Sequence, residues 1–493
     1  ADRYAQALRL LDFAPRLDYS TRAYHVQRAA LLERVGRGAE AAQERACAQQ
    51  AQPQTALDRF LTGEALYRAG RAPQAAAEFE KALALRPDAF WSRFYLSLCH
   101  LRLQRWEAAR AGLNACLVQE PDFVWIYLFR SVANERLRAF AAARADFEQA
   151  LRLHPDGDAR YVLLINRGVL EFEQKNLDRA AQDFRQAADL KPDQYNARLN
   201  LARVYLAQHQ FTAAAAEMDR VMRLGPPPMV VAAYHLERAR TFYADQKYAA
   251  AADASATALQ LLPGEPEALR LAGLALLSLG RYDEAVKALD QYIRHSGKPD
   301  GDVFRARGQA RMKMALYLEA VDDYSHALQL QPTADLYLHR GWAYFFADGW
   351  RLARRDFARA VEMQPTNPDA FTGRGLARVM LGDYQTAAED AEQALRLRPA
   401  TPEMMHNIAC IFAQALAQSE RSQREQRKST LGLHYQRRAL QTLHQAILMV
   451  TPNGRAKFWR GKIAPDAALN PVRDCPEFQH LAAFALAGHK SSE

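Results

Sequence analysis

The sequence lacks the features that would place a chain in a membrane or outside the cell. No apolar run approaches the roughly 18 residues that a membrane-spanning helix needs, and the most apolar stretch, residues 271–279, is about half that length. No basic-then-apolar leader precedes a small-residue cleavage site. The five cysteines are scattered and form no CxxC pair, which is typical of a reducing compartment. We therefore expect a cytoplasmic protein without disulfides.

Catalytic motifs are also missing. The nearest approach to a phosphate-binding loop runs from Gly454 to Lys462, but six residues separate its glycines and Ile463 replaces the required Ser or Thr. The sequence contains no HExxH, GxSxG, HRD or DFG string. The thirteen histidines are dispersed, with no two on one helical turn. We expect no enzyme activity, no cofactor, no metal and no small-molecule substrate.

Prolines recur along the chain with a period near 34 residues. They stand at Pro53, Pro87, Pro121, Pro155, Pro192, Pro226, Pro263, Pro332, Pro365 and Pro399. A period in this range indicates stacked structural units. Placing the proline at position 32 defines twelve units, which begin at Arg22, Ala56, Phe90, Val124, Tyr161, Tyr195, Ala232, Pro266, Gly301, Ala334, Pro368 and Pro402.

Small residues recur at fixed positions of the unit. Position 20 is alanine in all twelve units, and position 8 is always Gly, Ala or Ser. Helices can approach closely at such positions, because larger side chains would force them apart. Apolar residues at spacings of three and four predict two amphipathic helices per unit. A left-handed residue is expected to end the first helix at position 15 or 16, at Gly36, Gly70, Asn176, Gly280 and Gly382.

Charged residues also follow the repeat. Position 7 is Arg in seven units, and in six of them position 23 is acidic. Repetition in unit after unit favours an ion pair inside each hairpin over a substrate clamp. In the seventh, Arg238 has Asp253 one place early, while Glu78 and Glu217 carry the acid without an Arg at position 7.

A 34-residue unit with small residues at positions 8, 20 and 27, an aromatic or aliphatic residue at 24 and proline at 32 resembles the tetratricopeptide repeat (TPR). The resemblance covers residues 22–452 and implies an all-α fold, an α-α superhelix or solenoid of about twelve helix-turn-helix units. Residues 1–21 are expected to be the second helix of a truncated repeat, so that the natural chain extends upstream. We expect eleven units in residues 22–401, an interrupted twelfth in 402–452 and a capping segment in 453–493.

The resemblance implies that first helices line a concave face, with positions 2, 5, 6, 9, 12 and 13 towards a ligand. The predicted partner-binding residues are Phe60, Tyr67, Trp91, Phe94, Trp125, Leu128, Asn166 and Asn200. Trp91 and Trp125, at position 2, are those most expected to be exposed, and core packing is the alternative for the aromatic group. The asparagines at position 6, with Asn407, resemble a short version of the ladder by which some family members hold a peptide backbone.

The twelfth unit is interrupted by a polar, basic insert of about twenty residues between its two helices. It includes Arg421, Arg424, Arg427 and Lys428. We expect a loop or an extension of the flanking helices. A nucleic-acid site would add stacking aromatics, and only Tyr435 is near, so nucleic acid is not an expected partner.

Beyond Pro452 the sequence changes character and contains Phe458-Trp459-Arg460, Leu469-Asn470-Pro471-Val472-Arg473 and Pro476-Glu477-Phe478. Together with the helix at residues 407–410, this tail resembles the C-terminal region of bacterial, planctomycete-type serine/threonine kinases that carry TPR units. The leading hypothesis is a non-catalytic scaffold that binds a protein or peptide in the groove of the superhelix. The alternative is the regulatory region of a larger kinase whose catalytic domain lies upstream.

Overall fold

The computed structural model describes residues 2–11, 21–51, 54–297, 300–422 and 430–487. Within these ranges the chain forms helices joined by turns and contains no strand, which confirms the all-α prediction. The chain divides into two compact units, residues 1–226 and 227–493.

The first compact unit begins with a single helix and continues as six helical hairpins. Its helices are α1 (Asp2–Leu11), α2 (Arg22–Arg34), α3 (Gly38–Gln50), α4 (Ala56–Arg68), α5 (Ala72–Leu85), α6 (Phe90–Arg102), α7 (Trp106–Gln119), α8 (Val124–Arg136), α9 (Phe140–Arg152), α10 (Gly157–Glu173), α11 (Leu177–Leu190), α12 (Tyr195–Ala207) and α13 (Phe211–Arg223). From α2 onward the even-numbered helices are the first helices of the repeats, and the odd-numbered ones are the second helices.

The second compact unit contains six further hairpins and a C-terminal segment. Its hairpin helices are α14 (Pro228–Ala244), α15 (Tyr248–Leu261), α16 (Pro266–Ser278), α17 (Tyr282–His295), α18 (Gly301–Lys313), α19 (Tyr317–Leu330), α20 (Ala334–Phe346), α21 (Trp350–Met363), α22 (Pro368–Met380), α23 (Tyr384–Arg396), α24 (Pro402–Ser422) and α25 (Thr430–Leu448). The segment after them contains α26 (Pro452–Phe458), a π-helical turn (Trp459–Ile463), a 3₁₀ turn (Ala467–Leu469), α27 (Asn470–Arg473) and α28 (Pro476–Leu486). No helix in the described ranges combines the length and the apolar character needed to span a bilayer.

The small residues of the repeat hold the two helices of a hairpin together. The alanine at position 20 is buried in all twelve units. In five of the six units with glycine at position 8, the side chain at position 24 fills the space that a Cβ would take, and at Gly375 Ile411 of the next hairpin does so. An added Cβ at Gly168 would lie 2.6 Å from Phe184 Cε1, and one at Gly63 would lie 2.8 Å from Phe79 Cε1. Position 8 is therefore small because it accommodates the buried side chain at position 24.

In the first eleven units a left-handed residue at position 15 follows the first helix, whether or not that residue is glycine. Gly36, Gly70, Gly280 and Gly382 have positive φ as expected. The prediction for Asn176 was wrong, because Lys175 has the positive φ (62°). Asn176 precedes α11, and its Nδ2 donates a hydrogen bond to Glu171 Oε2 at 2.7 Å. The packing of the two helices fixes the turn between them. The turn therefore imposes a left-handed backbone even on residues whose side chains disfavour it.

The predicted ion pairs between positions 7 and 23 are confirmed. They are Arg28–Glu44, Arg130–Asp146, Arg167–Asp183, Arg307–Asp323, Arg340–Asp356 and Arg374–Asp390. The two acids that lack an Arg at position 7 also have partners, since Arg59 and Arg198 reach Glu78 and Glu217 from position 4. The guanidinium of Arg238 lies over the Phe242 ring, 5.1 Å from its centroid. These ion pairs join the two helices of a hairpin.

In the twelfth unit, the basic insert lengthens the two flanking helices. α24 continues to Ser422 and α25 begins at Thr430. Arg424, Arg427 and Lys428 lie outside the described residues. Arg438, near the middle of α25, forms a two-point ion pair with Glu392, with Nε 2.6 Å from Oε1.

The C-terminal segment packs on the last hairpin. The Trp459 and Phe478 rings lie 5.2 Å apart, centroid to centroid. Both belong to one buried cluster that also contains Phe412 of α24 and Leu443 of α25. Burial of this apolar surface stabilises the end of the repeat array, where no further hairpin follows in the described chain.

Candidate protein-binding surface

Aromatic side chains of three successive first helices form one connected layer in the first compact unit. The Phe60 ring of α4 lies 5.7 Å from the Tyr95 ring of α6, centroid to centroid. Tyr95 lies 6.1 Å from Phe94, which in turn lies 5.8 Å from Phe129 of α8. Edge-to-face contacts at such distances stabilise aromatic pairs beyond the burial of their area. The layer therefore joins α4, α6 and α8.

Trp91 lies on this layer and faces solvent. Its ring centroid is 5.0 Å from that of Phe90, 6.0 Å from Phe94 and 5.7 Å from Phe123. The residue is nevertheless 51% exposed, which agrees with the expectation for position 2. A large apolar ring supported on one side and open on the other is well suited to anchor a partner.

Two smaller apolar residues and a groove extend the exposed surface along the first helices. Leu57 is 62% exposed and Val26 is 41% exposed. A groove of about 580 Å³ lies between α2 and α4, and its lining includes Val26, Ala30, Leu61, Ala65 and Arg68. We call Val26, Leu57, Trp91 and this groove the first-helix surface.

Exposure alone does not single out this surface. Val118, on the second helix α7, is 86% exposed. The first-helix surface differs because Val26 lines a groove and an aromatic layer supports Trp91. Val118 is therefore a useful control position for binding experiments.

The other predicted aromatic and aliphatic contact residues lie deeper. Phe94 and Leu128 are each only 5% exposed, because they fill the space between successive helices. The expectation that these two side chains face a partner is corrected. The Phe94 ring packs against Trp91 at 6.0 Å, centroid to centroid, and Leu128 belongs to a buried cluster with Ala143 and Phe147 of α9. Phe60 and Tyr67 are half-buried, and the Arg102 guanidinium covers the Tyr67 ring at 3.6 Å.

Trp125 is more buried than its position predicts. It is half-buried and packs against core residues of its own hairpin and of the preceding one. Trp91 is therefore the better probe of the surface.

The predicted asparagines lie on α10 and α12 and are partly buried. Asn166 Nδ2 donates a hydrogen bond to the Val162 carbonyl one turn earlier, at 2.8 Å. One of its two amide hydrogens is thus used inside its own helix. Peptide binding by Asn166 and Asn200 stays a prediction.

The Cys99, Cys116 and Tyr67 side chains near the aromatic layer have raised pKa values, which disfavour their reactive, deprotonated forms. Burial raises the pKa of the Cys99 and Cys116 thiols to about 11. Both thiols are therefore protonated near neutral pH, and a thiol is a far weaker nucleophile than a thiolate. Burial also raises the pKa of the Tyr67 phenol. The surface offers apolar contact rather than a reactive group.

One group of described residues in the second compact unit has the side chains of a metal site. It consists of His406, Cys410 and Asp466, whose ligand atoms all lie within 4.8 Å of one another. The hydrogen bond from His406 lowers the pKa of Asp466 to about 2, and burial raises the pKa of Cys410. Histidine spacing in the sequence does not reveal this group, because its ligands are of three types and one of them lies on another element.

Family models for the tetratricopeptide repeat match most of the repeat region. One matches residues 60–122, 130–194, 236–300 and 338–402, and another matches residues 171–234. The first model alone covers more than half of the 493 residues. The chain belongs to the tetratricopeptide repeat family.

Known proteins with detectable similarity cover parts of the chain. Human "Tetratricopeptide repeat protein 13" is 33% identical over 144 residues, which are 28% of this chain and 17% of that protein. The "Hsp70-Hsp90 organizing protein" of Triticum aestivum is 24% identical over 256 residues, 49% of this chain and 42% of that protein. The chain thus spans less than half the length of these curated relatives.

A similar solved structure is that of YrrB, described as a TPR protein with an unusual peptide-binding site. It is 21% identical, with a TM-score of 0.34, and the match covers 36% of this chain and 90% of that one.

Proposed function

We propose that the chain is a non-catalytic scaffold that binds a protein or peptide partner on the first-helix surface. The observation that carries this proposal is Trp91, which is held by three neighbouring rings and yet is half exposed. Aromatic residues in such positions supply much of the binding energy at protein interfaces. The groove between α2 and α4 offers room for further apolar side chains of the partner.

The chemistry of the surface supports a partner with an extended or helical apolar segment. Val26, Leu57 and the groove residues supply aliphatic contact, and Arg68 at the groove is held by Glu64, with Nη2 2.6 Å from Oε1. We propose that these aliphatic contacts carry most of the affinity, beside the further guanidiniums of Arg22 and Arg71 in the groove lining. An apolar groove along helices accepts the apolar face of an amphipathic helix or an extended segment.

The experiment places a photo-crosslinking amino acid at position 91 of the full chain in cells of the source organism. The crosslinked partner is identified by mass spectrometry, purified and titrated calorimetrically against the unlabelled chain. A variant with Leu57→Ala and Trp91→Ala should bind about 2 kcal/mol more weakly, roughly 30-fold in Kd. Trp125 is left intact because its truncation would open a cavity in the core.

The matched control is Val118→Ala, which removes an exposed apolar side chain from a second helix. It should leave the affinity unchanged, and circular dichroism should show equal helicity for both variants. Equal binding by the double variant and the unaltered chain would move the partner site away from the first-helix surface.

The similarity to the "Hsp70-Hsp90 organizing protein" suggests one class of partner to test. Some TPR proteins hold an acidic C-terminus in a clamp of Lys or Arg and Asn over three units, but here Lys313 lies apart from Asn166 and Asn200 in the sequence. We therefore propose that any chaperone partner binds through the apolar surface. A peptide ending in acidic residues should bind no better than its amidated form.

The alternative proposal is the regulatory region of a larger serine/threonine kinase. It is supported by the tail motifs around Trp459, Pro471 and Phe478, and it implies a bacterial source. The test is the intact mass of the endogenous polypeptide, detected with an antibody against this region. A product tens of kilodaltons above the 55.6 kDa of this chain would favour it, and a product of the same mass would exclude it.

We also propose a cytoplasmic location. All five cysteines are free thiols, and two of them, Cys99 and Cys116, are fully buried. Thiols that persist unpaired are typical of a reducing compartment. Fractionation of the source cells should recover the chain with cytosolic markers, and recovery with periplasmic or secreted markers would contradict the proposal.

A further inference from the structure

The last hairpin and the C-terminal segment bring three potential metal ligands together. His406 and Cys410 are four residues apart on α24, so their side chains lie on the same face of the helix. Asp466 lies in the turn between the π-helical turn and the 3₁₀ turn. Asp466 is 56 positions from Cys410 and 60 from His406, and it meets them only because the segment packs on α24.

The three side chains converge on a small space. Asp466 Oδ2 lies 3.1 Å from His406 Nε2 and 3.4 Å from Cys410 Sγ. Cys410 Sγ lies 3.6 Å from His406 Nε2. Ligand atoms held about 2.0 to 2.3 Å from a tetrahedral Zn²⁺ are themselves about 3.3 to 3.6 Å apart. The three separations are thus close to the edges of a zinc coordination tetrahedron.

The backbone around Asp466 is fixed against α24. Asp466 Oδ1 accepts a hydrogen bond from the Ala468 amide at 2.8 Å, which leaves Oδ2 directed at the other two ligands. Gln414 Nε2 of α24 donates to the Ala468 carbonyl at 2.7 Å. Arg473 Nη2 donates to the Asp466 carbonyl at 2.8 Å. Such supporting hydrogen bonds hold metal ligands in place before the metal binds.

The burial of the group is uneven in a way that suits a bound ion. His406 is 7% and Cys410 3% exposed, whereas the Asp466 side chain is 29% exposed. The carboxylate side therefore gives solvent access to a fourth coordination position. Arg473 bonds to the Asp466 backbone, and no cation among the described residues is within ion-pair distance of the carboxylate except His406 when protonated.

We propose that His406, Cys410 and Asp466 bind one Zn²⁺ ion, with a water molecule as the fourth ligand. Thiolate, imidazole and carboxylate together match the ligand preferences of zinc. On binding, the Cys410 thiol releases its proton to solvent, and the thiolate and carboxylate together balance the two charges of the ion. The ion joins α24 to the segment that covers the end of the repeat array.

The test uses the full 493-residue chain, stripped with a chelator and titrated with Co²⁺ and then Zn²⁺. The expected result is one Co²⁺ per chain with the visible bands of tetrahedral cobalt and a thiolate-to-cobalt charge-transfer band. Zn²⁺ should abolish both. Cys410→Ser and Asp466→Asn should each weaken Zn²⁺ binding about 100-fold or more, measured by competition with a chromophoric chelator.

Matched controls separate this site from other thiols and imidazoles. Cys475→Ser changes a cysteine of the same C-terminal segment, and His434→Gln changes an exposed histidine on α25. Both should bind Zn²⁺ as the unaltered chain does. A variant with Cys47, Cys99, Cys116 and Cys475 all changed to Ser should keep the charge-transfer band.

Either of two results would overturn the proposal. One is the absence of a stoichiometric cobalt spectrum in the unaltered chain, a result that does not depend on the folding of any variant. The other is equal Zn²⁺ affinity in the unaltered chain and in a Cys410→Ser variant whose circular dichroism is native. In both cases the group would be a hydrogen-bonded contact alone.

Discussion

Two buried polar groups in the second compact unit join helices in different ways. In the hairpin of α22 and α23, the Asp390 carboxylate is met by two guanidiniums, Arg374 at 2.6 Å and Arg378 at 2.7 Å. At the end of the array, the Asp466 carboxylate faces a thiol and an imidazole. Two arginines therefore neutralise the Asp390 carboxylate, whereas no permanently charged side chain among the described residues neutralises the Asp466 carboxylate.

The difference shows how structural and functional polar residues can be told apart in a repeat protein. The arginine and acid of the hairpin recur in unit after unit at a spacing of 16 residues, so packing accounts for them. His406, Cys410 and Asp466 form a set that does not recur elsewhere in the described part of the chain. A polar group that is buried, outside the repeat pattern and without a fixed cation is the better candidate for ligand binding.

Removing the acid of the hairpin should have the largest effect on stability. Asp390→Asn leaves Arg374 and Arg378 facing a neutral amide, and breaking a buried pair in this way costs about 3–5 kcal/mol. Asp466→Asn in the zinc-free chain should cost clearly less, because it leaves no guanidinium unpaired. The measurement is the free energy of unfolding in urea. Equal losses of unfolding free energy in the two variants would contradict the distinction between the Asp390 and Asp466 groups.

The exposed pair Arg359–Glu362 provides the baseline for that comparison. Both side chains are more than half exposed, so Glu362→Ala should cost under about 1 kcal/mol. The same urea series measures it.

Filling the space at position 8 should have the next largest effect. An alanine Cβ at Gly168 would lie 2.6 Å from Phe184 Cε1, and relief of that overlap should cost about 1–3 kcal/mol. Gly157→Ala is the matched control, since no atom lies within 4 Å of its added Cβ. Thermal unfolding of both variants tests how tightly the two helices of a repeat hairpin pack. Similar melting temperatures for the two would show that the hairpin accommodates the added methyl.

A stabilising change is expected at position 24 of the ninth unit. The Tyr324 side chain is fully buried, and its hydroxyl has no hydrogen-bond partner among the described residues. Phe occupies the same position at Phe79, Phe147, Phe184 and Phe357. Tyr324→Phe should therefore raise the free energy of unfolding by about 1 kcal/mol. A loss of stability would reveal a buried water that the hydroxyl binds.

The smallest effect is expected in the turns. Ala315 has a positive φ of 58°, which costs energy for any residue with a Cβ. Ala315→Gly should stabilise the chain by up to about 1 kcal/mol, and Gly70→Ala, at φ 77°, should destabilise it by a similar amount. Urea unfolding of the two single variants checks the opposite signs.

Much of the hairpin could be predicted from the sequence because its contacts are local. The six ion pairs connect residues less than one unit apart, and the buried alanines pack within the same hairpin. The periodicity of the sequence therefore reveals both. Arg59 and Arg198 were missed as partners because an arginine side chain reaches the same acid from position 4 as from position 7. The left-handed residue was misplaced at Asn176, because the turn and not the residue type determines the backbone there.

The surface and the C-terminal group were less predictable. Whether Phe94, Leu128 or Trp125 faces solvent depends on the size of side chains in the next unit, which the position within a repeat does not reveal. The group of His406, Cys410 and Asp466 depends on how an irregular segment folds back on α24. No periodic pattern can indicate a contact that occurs once.

The ion pairs within hairpins have a consequence for how such a chain can grow. Where Arg and acid both belong to one unit, as in Arg340 and Asp356, a duplication copies the charge together with its counter-charge. A deletion likewise removes both. Units of this type can be gained or lost during evolution without leaving an uncompensated charge behind. The terminal segment is different, because its Asp466 contacts His406 and Cys410 of another element. It has to be inherited together with the hairpin that it covers.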